Sequence, residues 1–194
     1  GSEMCIRDRP LSGTAIAITR SVHQADEQRN SLEALGATVY HYPCIAIVPP
    51  VEIEALDDAI EKAIAGEYDW LVITSVNTVY ALSERLRTLE RKIPDSGIKI
   101  AAVGSSTARA ISDILGLPIA VQPREFTAAA LGTTIPNLRD SYLFLPQSAI
   151  ADSGLAETLR DEGAEVDAVS AYRTVVAQGG DDVPGLLWQG AIDA

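Results

Sequence analysis

Short apolar runs alternate with amphipathic segments along most of the chain. The runs are rich in β-branched residues and predict strands at 15–19, 38–42, 45–48, 70–73, 98–103, 119–121, 142–145 and 166–176. The segments between them carry apolar residues at helical spacing and predict helices at 24–35, 53–65, 76–89, 108–115, 127–135 and 155–162. Regular alternation of strand and helix is typical of an α/β fold with parallel sheets.

One strand–helix–strand segment occurs twice, at an offset of 127 residues. The offset aligns Ile16–Arg20 with Leu143–Gln147, Leu32 with Leu159, and Gly36-Ala37 with Gly163-Ala164. A further match, at an offset of 124, aligns Asp69 with Asp193. The alternative is chance similarity between two βαβ units. A true repeat predicts two related domains, and a second copy of 69–134 would give a full chain of about 260 residues.

The two ends of the chain do not share this alternation. Residues 1–12 show no periodicity and no apolar segment of a secretory signal, so we expect a leader outside the fold. Residues 190–194 read as the start of a strand without cap or tail. We therefore expect a C-terminally truncated chain.

Composition excludes several function classes. The 194 residues carry a net charge of −12, which opposes binding to the phosphates of nucleic acid. No apolar run approaches the ~20 residues of a membrane span, and two cysteines give no disulfide framework. We therefore predict a cytoplasmic protein without nucleic-acid or membrane partners. The two histidines, His23 and His41, lack ligand spacing, so we expect no metal site.

Polar turns between predicted strands and helices supply the candidate chemistry. Thr74-Ser75, Ser105–Thr107 and Gln147-Ser148 each follow an apolar strand and precede a helix. The carboxyl ends of parallel strands meet at one edge, where helix N-termini favour anions. The alternative is that these residues only cap helices. Tyr172 either donates its hydroxyl in a cleft or serves in packing, and both interpretations stay open.

Five stretches, all in order, carry a family resemblance: Ile16–Arg20, Leu35–Ala37, Tyr68–Ser75, Ala102–Ala108 and Ala171–Thr174. Together they resemble the uroporphyrinogen-III synthase family. The resemblance covers residues 14–194 and implies two flavodoxin-like parallel-sheet domains joined by two extended crossings. An incomplete first domain would hold 13–43 and 181–194, the second domain 51–171, and the crossings 44–50 and 172–180.

The resemblance also implies a reaction. Members are lyases of tetrapyrrole (porphyrin, haem) biosynthesis that cyclise linear hydroxymethylbilane to uroporphyrinogen III, with loss of water and inversion of ring D. No cofactor or metal is implied, and we expect a full-length monomer. The resemblance implies two catalytic residues, Tyr172 and Thr107. Tyr172 would assist departure of the hydroxyl as a hydrogen-bond donor, and Thr107 would sit at the substrate in the cleft. The substrate-binding residues implied by the family pattern are Arg20, Thr74, Ser75, Asn77, Ser105, Ser106, Gln147 and Ser148.

Two features fit this reaction less well. The substrate carries eight carboxylates, whereas the chain is strongly acidic. Asn77 and Gln147 stand where many members of the family carry a basic residue. Truncation would impair the activity. The alternatives are a non-catalytic flavodoxin-like module that binds a small anion, and an inert fragment.

Overall fold

Strands and helices alternate through the computed structural model, which describes residues 9–95, 97–123, 130–131 and 134–194. The strands are β1 (Ala15–Ile18), β2 (Thr38–His41), β3 (Ile45–Val48), β4 (Trp70–Ile73), β5 (Lys99–Ala102), β6 (Tyr142–Ser148) and β7 (Glu165–Val176). The helices are α1 (Val22–Ala34), α2 (Ile53–Ala65), α3 (Val76–Thr88), α4 (Ser105–Ala110), α5 (Gly154–Asp161) and α6 (Val183–Trp188), and a π-helical turn (Ile111–Leu115) continues α4. The α/β alternation predicted from the sequence is confirmed.

The strands form two sheets. β1 and β2 pair in parallel, with Ile16 opposite Val39. The second sheet has the order β3-β7-β6-β4-β5, and its β7–β6, β6–β4 and β4–β5 pairs are all parallel. The strand expected at 119–121 is reduced to one bridge between Ala101 and Val121. The helix expected at 127–135 lies largely outside the described residues.

The chain divides into two compact units. The first unit holds the described residues up to Ile47 together with Thr174–Ala194, and the second holds Val48–Arg173. The chain therefore passes between the units twice, within β3 and within β7. No helix in the described part of the chain is both long and apolar enough to cross a membrane.

The core of the second unit forms around β4, whose four residues are all buried. Helix α2 buries Leu56, Ala59, Ile60 and Ala63, helix α3 buries Val79, Leu82 and Leu86, and helix α5 buries Ala156 and Leu159. A continuous apolar run with neighbours on both edges is the pattern of a central parallel strand. Helix α2 ends where it was predicted to end, because Gly66 takes the left-handed conformation (φ 76°) that closes the helix.

The first unit has a smaller core. Its buried apolar residues Ile18, Ala25, Ala37 and Val39 form one cluster, against which Leu11 and others pack. The backbone N–H of Leu11 also donates to Leu35 O at 3.0 Å. Leu11 falls within the predicted leader 1–12, so the structure includes part of that segment in the first unit.

The repeat in the sequence is also a repeat of hydrogen bonds. Ala37 N donates to Leu32 O and Ala164 N to Leu159 O, both at 3.1 Å, and Thr38 N donates to Thr14 O and Glu165 N to Ser141 O, both at 2.9 Å. Gly36 and Gly163 share φ 97°, a left-handed value that favours glycine. The two copies, residues 11–41 and 138–168, therefore share one local architecture.

An aspartate completes each copy. Asp193 Oδ2 accepts a hydrogen bond from Ala15 N at 2.8 Å, and Asp69 Oδ2 accepts one from Tyr142 N at the same distance. These aspartates are aligned at the offset of 124. The second match of the repeat therefore also has a structural counterpart.

Candidate functional site

A pocket of about 450 Å³ lies within the second unit, at the carboxyl ends of β4 and β6. We call it the edge pocket, and its described lining residues are Thr74, Ser75, Thr78, Val103, Leu131, Gln147, Ser148, Ala151, Asp152, Leu155 and Tyr172. Five of the predicted site residues are among them, namely Thr74, Ser75, Gln147, Ser148 and Tyr172. The turn after β4 thus meets the carboxyl end of β6, as expected where parallel strands end at one edge. Gln147 and Ser148, predicted to lie in a turn after a strand at 142–145, are instead the last two residues of β6, because they continue its pairing with β7.

Ser75 ties the first turn to a helix. Its backbone is extended (φ −144°, ψ 141°), and its Oγ accepts a hydrogen bond from Asn77 N at 3.1 Å. Ser75 is therefore the N-cap of α3, as the capping alternative held. It also lines the pocket, so the two interpretations are compatible for this residue.

A β-bulge brings Tyr172 beside the carboxyl end of β6. Gln147 pairs with Ser170 and Ser148 pairs with Tyr172, so that Ala171 is an extra residue in β7. Tyr172 O accepts a hydrogen bond from Ala149 N at 2.8 Å, which fixes the backbone there. The side chain is 7% exposed and lines the edge pocket. Bulges often direct a side chain into a functional site.

The turn after β5 contributes less than the sequence suggested. Ser105 and Ser106 are exposed on the first turn of α4, and Thr107 is 5% exposed. These three residues are not among the described lining residues, whereas Val103 of the same connection is. The difference arises because a turn residue's sequence position does not determine which way its side chain points.

Two further predicted residues lie apart from the pocket lining. Asn77 is half-buried on α3 next to the capped N-terminus. Arg20 belongs to the first unit, where it is exposed and follows β1. Its carbonyl pairs with Nε2 of His41 at 2.8 Å, which links the turn after β1 to the end of β2.

Sequence reasoning missed Thr78 and Asp152, both of which line the pocket. Asp152 Oδ1 accepts a hydrogen bond from Gly154 N at 2.5 Å, at the start of α5. Thr78 lies on the first turn of α3, three residues after the Ser75 N-cap. That spacing is the signal that could have found Thr78, because residues three apart share a helix face.

Neutral hydrogen-bonding groups dominate the edge pocket. Among its described lining residues are no Lys, Arg or His side chains, and the one carboxylate is that of Asp152. Hydroxyl, amide and phenol groups, together with the N-terminus of α3, are the donors available to a ligand. Such a set can hold and orient a polar or anionic ligand. In the described part of the chain no three His, Cys, Asp or Glu side chains cluster as a metal site would require.

A second polar cluster lies elsewhere in the second unit. Tyr68 donates from its hydroxyl to Asp167 Oδ2 at 2.5 Å, and Lys62 Nζ lies 3.5 Å from the same oxygen. Burial of the Tyr68 phenol, reinforced by its hydrogen bond to Asp167, raises the pKa of Tyr68 far above its ordinary value. Lys62 and Asp167 line a separate pocket of about 510 Å³. The cluster links α2 to β7.

Comparison with known proteins gives a consistent result. Residues 26–194 match the family described as uroporphyrinogen-III synthase HemD. The uroporphyrinogen-III synthase of Synechococcus elongatus is 31% identical over 169 residues, which cover 86% of this chain and 63% of that protein. The porphyrin biosynthesis protein HemD of Ruminiclostridium josui is 31% identical over 170 residues, covering 86% of this chain and 33% of that protein. The chain therefore spans less than two thirds of either relative.

Solved structures agree on the fold. The uroporphyrinogen III synthase of Thermus thermophilus, in a triple-mutant form, superimposes with a TM-score of 0.56 at 21% identity, covering 93% of this chain and 70% of that one. The wild-type form gives a TM-score of 0.54 at 22% identity, with the same coverage. At this identity the likeness concerns the fold alone.

Proposed function

The chain belongs to the uroporphyrinogen-III synthase family, because residues 26–194 match that family, and we propose that it cyclises hydroxymethylbilane to uroporphyrinogen III. The reaction removes water and inverts ring D, and it makes the protein a hydro-lyase of porphyrin and haem biosynthesis. The observation that carries the proposal is the edge pocket, where the turn after β4 and the carboxyl end of β6 meet Tyr172.

In this proposal Tyr172 is the catalytic residue. Its hydroxyl donates a hydrogen bond to the departing hydroxyl of the substrate as the C–O bond breaks, and the N–H of the pyrrole that carries this group releases the proton that completes the water. The exocyclic carbon that carried the hydroxyl is then open to attack by ring D. The phenol keeps its proton while it donates this hydrogen bond. Support comes from the bulge that fixes the Tyr172 backbone and from its position on the pocket wall.

The rest of the proposed mechanism is the positioning of the substrate. Hydroxymethylbilane closes unaided to the symmetric isomer I, so the protein must hold the linear chain with its end ring turned. Thr74, Ser75, Gln147 and Ser148 line the pocket and offer hydrogen bonds for this purpose. Ser105, Ser106, Thr107, Asn77 and Arg20 remain predictions as substrate contacts, because they are not among the described lining residues.

Neutral donors also offer a way for an acidic protein to bind an anionic substrate. A chain with a net charge of −12 gains nothing from long-range attraction of eight carboxylates. A helix N-terminus favours negative charge locally through its free N–H groups and its dipole. The N-terminus of α3 borders the pocket and supplies these groups at short range.

We propose in addition the finer architecture that the family implies, two flavodoxin-like domains joined by extended crossings at 44–50 and 172–180. The division into two compact units, with boundaries at Ile47 and Arg173, supports it. A cytoplasmic location, a monomeric full-length protein and independence from cofactors remain predictions.

The test supplies fresh hydroxymethylbilane to the 194-residue chain and measures the ratio of uroporphyrinogen III to isomer I. We expect an excess of isomer III. Production of isomer I alone, at the spontaneous rate, would contradict the proposed activity for these residues. Saturable binding of a small anion without isomer III would instead favour the binding-module alternative.

The role of Tyr172 has its own test. We expect Tyr172→Phe to slow formation of isomer III by about 10²-fold, the scale of lost acid–base assistance, with unchanged thermal stability. Tyr80→Phe is the matched control, because it removes a tyrosine hydroxyl from α3 of the same unit outside the described pocket lining. A Tyr172→Phe variant as fast as wild type would remove Tyr172 from the mechanism and leave the rest of the proposal in place.

A further inference from the structure

Thr78 carries a buried hydroxyl without a partner. The residue is 0% exposed on the first turn of α3 and lines the edge pocket. Its Oγ1 has no hydrogen-bond partner among the described residues. Buried hydroxyls are nearly always paired, so this exception requires a physical reason.

The reason is its position relative to the N-cap. A threonine inside a helix usually donates to the carbonyl four residues earlier, as Thr88 of the same helix does to Glu84 O at 2.9 Å. For Thr78 that residue is Thr74, which precedes the N-cap and lies outside the helix. The Thr74 carbonyl is therefore not one of the carbonyls that accept hydrogen bonds along α3.

The carbonyl three residues earlier is already used. Ser75 O accepts the backbone N–H of Thr78 at 3.1 Å and that of Val79 at 3.4 Å. The fold thus supplies two N–H groups to this carbonyl, and the Thr78 hydroxyl has no partner among the described residues. An unpaired buried hydroxyl destabilises the folded state, and its partner must come from outside the helix.

The surroundings of Thr78 define the chemistry of that partner. A carboxylate accepts hydrogen bonds and donates none, so it suits a hydroxyl that has a proton to give. The first turn of α3 adds the positive end of a helix dipole, which favours a carboxylate. No cationic side chain among the described lining residues competes with Thr78 for that carboxylate. Asp152, the acidic lining residue, already accepts a hydrogen bond from Gly154 N.

We propose that Thr78 Oγ1 donates a hydrogen bond to a carboxylate of the bound tetrapyrrole, which makes the first turn of α3 a carboxylate subsite of the edge pocket. This inference rests on the proposed function and adds a substrate-binding residue to it. Thr78 is not a catalytic residue in this role. It holds one acidic side chain of the substrate while Tyr172 acts on the departing hydroxyl.

The experiment compares Thr78→Val with Thr78→Ser and with Thr88→Val. Valine has the shape of threonine without the hydroxyl, and serine keeps the hydroxyl. Thr88→Val is the matched control, because it removes a hydroxyl from the same helix that has an internal partner. Each variant is assayed for thermal unfolding, for kcat and KM with hydroxymethylbilane, and for anaerobic binding of uroporphyrinogen III as the probe.

We expect Thr78→Val to be at least as stable as wild type, because it loses an unpaired polar group. Its KM and its dissociation constant for uroporphyrinogen III should rise about tenfold or more, the loss expected for a hydrogen bond to a charged group. Thr78→Ser should stay within about threefold of wild type. Thr88→Val should lose stability and keep its affinity.

Either of two results would overturn the inference alone. An active wild type whose affinity is unchanged in Thr78→Val would show that the hydroxyl does not touch the ligand. A loss of stability in Thr78→Val equal to that in Thr88→Val, without a change in affinity, would show an internal partner. A wild type that neither binds uroporphyrinogen III nor forms it would overturn the proposed function, and this inference with it.

Discussion

Residues 11–41 and 138–168 share one hydrogen-bonding pattern and differ in what surrounds them. In the second copy β6 pairs with β7 on one edge and β4 on the other, and its residues 143–146 are all buried. In the first copy β1 pairs with β2, and three of its four residues are only half-buried. The cores against which the copies pack differ in the same way, since large apolar side chains such as Trp70 belong to the second.

The difference separates two sources of structure. Turns, caps and the glycine at φ 97° are specified by residues inside each copy, so they recur in both. Burial is specified by neighbouring elements and does not recur. Local sequence therefore determines the shape of the βαβ unit, while the stabilising area depends on which strands and helices cover it.

The largest expected effect comes from the aligned leucines. Leu159 is fully buried, whereas Leu32 is partly buried against the smaller core. We expect Leu159→Ala to lower the free energy of unfolding by about 3–5 kcal/mol, because it leaves a cavity in a dense core. We expect Leu32→Ala to cost about 1 kcal/mol, because less apolar area is lost from burial.

Urea denaturation checks this pair. Trp70 lies in the second unit and Trp188 in the first, so a Trp188→Phe background makes fluorescence report on the second unit. Amide exchange of 15–41 reports on the first. Equal costs for the two leucines would mean that the copies are stabilised alike and that the contrast in burial has no energetic meaning.

A mid-sized effect concerns the cluster around Tyr68, which the first copy lacks because Tyr40 aligns with Asp167. The folded state raises the pKa of Tyr68, whereas the unfolded chain loses this proton near pH 10. Stability from this group is fully present below pH 10 and falls as pH rises above it. The expected slope is about 1.4 kcal/mol per pH unit.

Tyr68→Phe should remove that slope and cost about 1–2 kcal/mol at neutral pH through the lost hydrogen bond to Asp167. The measurement is the free energy of unfolding from pH 8 to 11 for wild type and variant. Tyr42→Phe, which alters an exposed tyrosine of the first unit, is the control and should run parallel to wild type. A constant difference between Tyr68→Phe and wild type at every pH would contradict the prediction.

The smallest effect tests the aspartates that complete the copies. Asp69→Ala removes an acceptor from Tyr142 N, and Asp193→Ala removes one from Ala15 N. Both carboxylates are exposed, so we expect each change to cost about 1 kcal/mol, the net contribution of one hydrogen bond. Thermal unfolding with amide exchange at Tyr142 and Ala15 measures the two effects. If neither amide exchanges faster in its variant, the alignment of these two aspartates has no function in the fold.

Much of the fold was predictable, because its signals are local. The strand 70–73 and the helix 53–65 have their predicted bounds, since a buried apolar run and a glycine stop identify them. The helix Val183–Trp188 was missed. Its Asp182 cap and the proline in its first turn were present, yet Leu187 and Trp188 are exposed, so no amphipathic pattern indicated a helix.

The candidate site was predictable only in part. The carboxyl ends of parallel strands meet at one edge by geometry, which accounts for Thr74, Ser75, Gln147 and Ser148 in the pocket. Thr107 required knowledge of side-chain direction. Arg20 lies in the first unit, as predicted, and the edge pocket lies within the second. The significance of Thr78 required the structure, which shows its hydroxyl buried and without a partner among the described residues.

The two passages of the chain between the units affect how the protein is made. The second unit is about 125 consecutive residues, whereas β1 receives hydrogen bonds from Asp193 and donates to Ala194 at the opposite end of the first unit. At about 5–20 residues per second, a ribosome needs roughly 6–25 s to synthesise the intervening unit. The second unit can therefore fold before residues 193 and 194, which pair with β1, have been synthesised. Although β1 and β2 are synthesised first, their unit acquires these contacts after the second unit is complete.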